Sequence, residues 1–391
     1  MSTPTALRAE VQSALFYSAM FGALGAHLPF WPVWLEDWGL TAGEVGLYTS
    51  LGVAIRVVAG LLFPVLADQT GQRRLWMAGL GFAGAAVFFA HLALGTKSGL
   101  LVATIVSGAI LSGLLPLGEG LGSGAARHYG FPYARPRALG SVAFLISSIV
   151  VGALIARTGA DAALYWITAC LVVTGVLALN HPGGGLPQRA APPGFREIGA
   201  LLVEPTFALF TVAAAMVLSS HAVLYVYGSV HWRSLGLDEG LIGALWAFSV
   251  GVEVVAMLLF GPALIRRVGP VGALMISGVG GVLRWSIMVF DPPTSWLWGL
   301  QAMHTLTFVC GHLGAVAFIS AAVPERYGAS AQGAFMGLGG GVLTALAMAL
   351  AAWLYPSLGG GTYAIAAVMS GVGLVLSVGL GRAWHGRELA V

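Results

Sequence analysis

The sequence predicts an all-α membrane protein of twelve transmembrane helices in two six-helix pseudo-symmetric halves. Three observations carry that expectation. The chain of 391 residues is 58% hydrophobic and only 8% charged, where soluble domains carry roughly 25% charged residues, and its mean hydropathy is +0.88. A soluble core in a chain of this size cannot bury so much apolar surface, so lipid must solvate it. Short polar or Gly/Pro breaks then divide the chain into twelve apolar stretches, each near the twenty residues needed to cross a bilayer. Finally, the second half repeats the pattern of the first.

In order, the expected spans are 12–35, 44–66, 75–94, 99–121, 137–157, 162–180, 205–230, 240–262, 271–290, 295–321, 330–354 and 361–381. The N-terminal MSTPTALRAEVQ has no signal-peptide pattern, so the first apolar stretch is expected to remain as a span. Within it, HLPFWPVWLEDW sets Pro29 and Pro32 as helix interruptions and Trp31, Trp34 and Trp38 as an outer interfacial belt. The long polar segment HPGGGLPQRAAPPGFRE, 181–197, falls after the sixth span. It divides the chain into halves 1–180 and 205–391, with 181–204 as a cytoplasmic linker. GLTAGEVG at 39–46 aligns with GLDEGLIG at 236–243, and LGVAIRVVAGLLFP at 51–64 then falls on FSVGVEVVAMLLFG at 248–261. Arg56 and Glu253 thereby occupy the same position of the repeat.

Lysine and arginine bias sets orientation. With the N-terminus inside, the inner loops hold Arg8, Arg73, Arg74, Arg127, Arg135, Arg189, Arg196, Arg266, Arg267, Arg326, Arg382 and Arg387. Only Lys97, Arg157 and Arg233 fall outside. The expectation is both termini cytoplasmic. This placement accounts for the basic pI near 9.0 without a nucleic-acid partner. Cys170 and Cys310 lie in apolar stretches and offer neither a disulfide framework nor a metal spacing.

Ionisable groups at bilayer depth are costly and persist where they face a wet cavity or a partner. Arg56, Glu119, Arg137, Glu253, Arg284 and His304 form that set. Each has a plainer explanation to weigh. Arg137 is close enough to an inner helix end to snorkel, and Glu119 to be solvated. Arg56, Glu253 and Arg284 lie deeper, where the alternative is an ion pair locking two helices. His27, His221 and His312 are expected to be packing histidines with a hydrogen bond. Tyr17, Phe21, Tyr225 and Tyr227 are possible aromatic contacts. No GxxxxGK[ST] motif, zinc spacing or voltage-sensor arginine series is present, and GLGGG at 337–341 follows no strand. Cofactor and metal are therefore expected to be absent. Glu119 and His128 lack a nucleophile or metal set, which argues against a membrane enzyme. A transporter with a polar cavity remains.

LLFPVLADQTGQRR resembles the loop between helices two and three of the major facilitator superfamily. Asp68, Gly71, Arg73 and Arg74 match that loop and Pro64 replaces its first glycine. A closer resemblance covers nearly the whole chain: LPFWPVWLEDWGLT, RALGSVAF, SSHAVLYVY, ALWAFSVGVEVV, GGVLRWSIM and LQAMHTLTFVCGHLGA look like the 3-phenylpropionate permease family, relatives of lactose permease. The lactose permease resemblance implies a sugar-type charge pair at Glu119 and Arg137. It also implies coupling roles near Glu253, at Arg284 and at His304. It departs at Thr307, where the permease has a proton-carrying glutamate. Either Glu253 or His304 then takes the proton, or the protein is not a symporter.

The resulting expectation is proton-coupled import of a small organic anion, such as an aromatic monocarboxylate, by alternating access. Arg284, Arg56, Glu119, Arg137 and Tyr225 are the substrate-binding candidates, and Glu253 and His304 the proton-coupling ones. Asp68, Gly71, Arg73 and Arg74 would form a gating loop. A neutral-solute carrier for sugar or nucleoside, an exporter, and a non-transporting receptor are the alternatives. The expected setting is a monomer in the bilayer of a bacterial inner membrane.

Overall fold

A computed structural model describes residues 5–184, 195–324 and 327–389. The central stretch of the linker, with Arg189, lies outside the described residues, as does Arg326. Among the described residues the chain is helical and forms no strand. The elements are α1 (Ala6–Asp37), α2 (Ala42–Thr70), α3 (Arg73–His91), α4 (Lys97–Tyr129), α5 (Ala134–Thr158), α6 (Asp161–Leu179) and a short α7 (Phe195–Val203). They continue with α8 (Pro205–Ser219), α9 (Ala222–Ser234), α10 (Glu239–Met288), α11 (Thr294–Ala302), α12 (Cys310–Ala322), α13 (Gly328–Ala334), α14 (Val342–Leu358) and α15 (Tyr363–Ala383). A π-helical turn, Thr305–Val309, links α11 to α12, and another, Phe335–Gly341, links α13 to α14.

Among the described residues, 9 segments are long and apolar enough to cross a membrane, and one of these, Ala331–Ala383, contains two helices. With α1 and α3 beside them, the order fits the twelve expected spans. The 50-residue α10 is two spans joined across Gly269, whose φ of 69° and ψ of 176° break the helix. Part of the expected linker is itself helical, as α7. The C-terminal break of α4 is set locally by Gly130 at φ 74°, a left-handed position that favours glycine. At the start of α8 the Glu204 carboxylate accepts from the Phe207 N–H at 2.6 Å and Pro205 occupies the first turn, where its missing N–H costs nothing.

Two expectations for α1 are corrected. The helix runs unbroken through Pro29 and Pro32; neighbouring helices and local adjustment tolerate proline in a membrane span. Trp31 and Trp34 are only 3% exposed, so they do not form a belt. Both rings pack edge-on against His91 of α3, and the Trp34 indole donates to Asp161 at 2.8 Å.

The chain divides into two compact units: Met1–Thr41 with Leu51–Gln188 and Trp232–Ala247, and Ala42–Ser50 with Arg189–His231 and Phe248–Val391. In the first, α1 packs on α5 closely enough that a Cβ at Gly25 would collide with the Phe144 carbonyl. Small residues set this separation where lipid offers no hydrophobic drive between helices. In the second, Phe207, Phe210, Phe318 and Phe335 lie in one buried apolar cluster, with Phe210 stacked on Phe318.

Candidate functional site

The second unit carries a buried polar cluster around Arg284, which is 1% exposed. Its Nη2 donates to Gln301 Oε1 at 2.7 Å. Its Nη1 donates to Thr307 Oγ1 at 3.0 Å and reaches His304 Nδ1 at 3.4 Å. The guanidinium carbon lies 4.4 Å from the Trp285 ring centre. Its Nε is buried without a hydrogen-bond partner. The amide, hydroxyl and imidazole around this cation are neutral, and among the described residues no carboxylate comes within ion-pair distance of it.

Hydrogen-bond direction fixes the tautomers. Arginine only donates, so His304 Nδ1 accepts and the ring proton sits on Nε2. That nitrogen lies 3.2 Å from Glu253 Oε2. One imidazole therefore separates Glu253 from Arg284. His221 faces the other side. Its Nδ1 meets the Leu218 carbonyl at 2.9 Å, so Nδ1 carries the proton and Nε2 accepts from the Thr307 hydroxyl at 2.9 Å. The same hydroxyl lies 3.4 Å from the His304 carbonyl, a weaker alternative. A directed chain results: Arg284 to Thr307 to His221 to the backbone.

Broken helices create this arrangement. The span Pro205–Ser234 is interrupted between α8 and α9, where the Leu218 carbonyl takes the His221 ring Nδ1 at 2.9 Å beside a longer bond of 3.4 Å from the His221 backbone N–H. Irregular backbone at membrane depth requires such partners. The next interruption is the π turn after α11, where Cys310 N–H bonds to the Thr305 carbonyl five residues back. The Thr307 carbonyl is taken by Ser277 at 2.5 Å. π turns are frequent at functional sites. Aromatic rings line the surroundings. Tyr225 stacks on His221, Tyr363 on Trp285 and Phe308 on His304, and both tyrosines lie within the field of Arg284. The Tyr363 hydroxyl is buried without a partner.

The first unit carries a different cluster. Arg137 Nε donates to Glu119 at 2.7 Å, and the two side chains are 30% and 31% exposed. Tyr17 donates to the same carboxylate at 3.1 Å, and Tyr133 also donates to it. The guanidinium of Arg137 lies 4.1 Å from the Phe21 ring centre. The charge here is neutralised internally. Arg56, in the same unit, has a buried Nε with no hydrogen-bond partner, and among the described residues no ion pair reaches it. It is close enough to His27 for their charges to interact.

The loop candidates also come together in the first unit. Arg73 bonds Asp68 at 2.5 Å, Gly71 turns the chain at φ 67°, and Arg74 Nε donates to the His181 carbonyl at 2.6 Å. Burial and the nearby Arg74 charge push His181 down to about 3, so it stays neutral.

The structure thus brings Arg284, His304, Glu253 and Tyr225 into one neighbourhood, and Glu119 with Arg137 into another. Gln301 was missed in the sequence, although Gln301, His304 and Thr307 at three-residue spacing share a helix face. His221 was set aside as a packing histidine. No local signal marked the break that brings it to Thr307.

Buried charges on interrupted helices within a many-span helical chain are the features of a secondary transporter. Among solved structures, a point mutant of the nucleoside transporter NupG superposes with a TM-score of 0.81 at 18% identity, covering 96% of this chain and 100% of that one. A bacterial homologue of the iron transporter ferroportin gives a TM-score of 0.74 at 16% identity, covering 96% and 99%. These establish the major facilitator fold.

Residues 11–361 match the model of the MFS_1 like family, and the chain belongs to that family. It is similar to the probable 3-phenylpropionic acid transporter of Escherichia coli (strain K12), at 29% identity over 374 residues, 91% of this chain and 94% of that protein. It is also similar to the maltose permease of Geobacillus stearothermophilus, at 26% over 352 residues, covering 88% and 86%. The protein is a multi-pass membrane carrier of a small molecule and not an enzyme.

Proposed function

We propose that the protein imports a small aromatic monocarboxylate together with a proton. The observation that carries this reading is Arg284: a buried guanidinium held by neutral acceptors, with a free Nε and a carboxylate one imidazole away. A substrate carboxylate gives it the charge-assisted, bidentate partner it lacks. Tyr225 offers a ring face to an aromatic tail. The likeness to a probable 3-phenylpropionic acid transporter favours the same chemistry.

Charge parity couples the two ligands. With Glu253 ionised, its charge and that of Arg284 cancel. Protonating Glu253 leaves a net cation, which an anionic substrate neutralises. Each ligand therefore favours the other's binding, as linkage requires. The His304 Nε2 proton, directed at Glu253, fixes the ring that separates the two charges. Arg56 is the second candidate for the substrate carboxylate. The Asp68–Arg73 loop serves as a gate while two six-helix halves, joined by the linker 181–204, alternate access. The setting is a bacterial inner membrane, with both termini cytoplasmic and the protein monomeric.

The test is uptake of labelled 3-phenylpropionate into proteoliposomes, with and without an inward proton gradient. Accumulation only with the gradient is expected. Absence of uptake in both conditions, with folded protein, overturns the substrate reading. The Glu119–Arg137 pair favours a second reading: its carboxylate and guanidinium are half-exposed and suited to the hydroxyls of a neutral solute. Uptake of a sugar or nucleoside in the same assay would select it.

A further inference from the structure

Four neutral groups surround Arg284: Gln301, Thr307, His304 and Trp285. We infer that Gln301 and Thr307 determine charge selectivity, holding the Arg284 guanidinium in place through neutral oxygens so that its charge stays available to an anionic ligand. This rests on the aromatic-acid reading above and assigns its selectivity to residues that act through Arg284.

The geometry makes these two the decisive positions. Gln301 Oε1 at 2.7 Å and Thr307 Oγ1 at 3.0 Å occupy separate terminal nitrogens of Arg284. A carboxylate at either position would complete an ion pair with no change in the helices. Gln301 is 1% exposed, as is Thr307, so water would not screen such a pair. The first unit shows the outcome of that alternative, because Arg137 there is already paired with Glu119. Thr307 has an added constraint. It must accept from Arg284 and donate to His221 at once. A hydroxyl does both, whereas an ionised carboxylate only accepts. The charged and titratable groups facing this cluster are Glu253 through His304, His221, and the Tyr225 and Tyr363 hydroxyls. With Glu253 protonated the cluster is a net cation. One further carboxylate would cancel it, leaving no charge for an anion to satisfy.

The test uses the purified full chain and compares Gln301→Glu and Thr307→Asp with the neutral control Thr307→Asn. The probes are 3-phenylpropionate and its uncharged amide, measured by calorimetric titration, with melting temperature recorded in parallel. Gln301→Glu should weaken the acid by about 100-fold, the scale of a lost charge-assisted contact. Amide affinity should stay within about threefold, because no net charge is involved. In a Glu253→Gln background, which keeps that site uncharged, Gln301→Glu should melt about 2–4 °C higher, because the net cation gains a counter-ion. Thr307→Asn, whose amide can both accept from Arg284 and donate to His221, should keep a preference for the acid over the amide that Thr307→Asp loses. Equal weakening of acid and amide, or unchanged acid affinity in both carboxylate variants, overturns the inference. Should Gln301→Glu fail to fold, Thr307→Asp against Thr307→Asn makes the same comparison. If the unaltered protein binds neither probe, the aromatic-acid reading fails separately. The melting temperatures then decide: in the Glu253→Gln background a rise with Gln301→Glu supports the inference, and no rise overturns it.

Discussion

Arg137 and Arg284 are both membrane-depth arginines, but their surroundings differ in one respect that changes what each can do. Arg137 meets a carboxylate that is also bonded by two tyrosines, and its guanidinium lies over Phe21. Arg284 meets an amide, a hydroxyl and an imidazole. Glu253 is reached through His304. The first arrangement is electrically complete without a ligand. In the proposed mechanism the second changes its net charge when Glu253 takes a proton. A satisfied ion pair in a membrane span is a structural element with polar edges, whereas an arginine among neutral acceptors is responsive to an anion.

The comparison can be broken or sharpened by substitution. The largest effect is expected at Arg284. Arg284→Lys removes the planar fork and should weaken 3-phenylpropionate binding by about 100-fold, read by calorimetric titration; unchanged affinity would remove Arg284 from the site. Next comes Glu253→Gln, which should retain substrate exchange across proteoliposomes but abolish accumulation driven by a pH gradient. Full accumulation in that variant would sink the charge-parity mechanism. In the first unit, Glu119→Gln and Arg137→Gln should each destabilise the protein, and the double substitution should cost less than their sum. The coupling should be about 1 kcal/mol for a half-exposed pair, measured as a double-mutant cycle of unfolding. Additive effects would show that the pair contributes nothing as a pair. The smallest effect is expected for Tyr17→Phe. It removes one of three donors to Glu119 and should cost about 0.5–1.5 kcal/mol of stability while leaving anion affinity unchanged.

Much of this was legible in the chain. Glu119 and Arg137 stood out singly because an ionisable group in an apolar run announces itself, whereas their pairing and the Asp68–Arg73 loop came from the resemblance to known permeases. Gln301 and His221 were harder to see. A glutamine and a histidine near a helix interruption have many ordinary uses, and their role here depends on what faces them. Trp31 and Trp34 misled for a related reason. Tryptophan near a span end suits an interface, but the ring of His91 on α3 gives these two a buried partner.

What the sequence by itself determined is the class of architecture and the inventory of buried charge. Apolar run length must match bilayer thickness, and charge placement follows the membrane's asymmetry, so both can be read from a one-dimensional pattern. Tertiary structure alone decided which charge is neutralised. Arg137 and Glu119 are 18 residues apart and meet, and Arg284 and Gln301 are 17 residues apart and meet as well. Separation along the chain therefore does not distinguish the two clusters. The difference comes from which side chains the helix breaks at His221 and the π turn at Thr305–Val309 bring to the guanidinium. That is a property of helix packing in three dimensions, where contacts of a few ångströms decide whether a buried arginine meets a carboxylate or neutral acceptors.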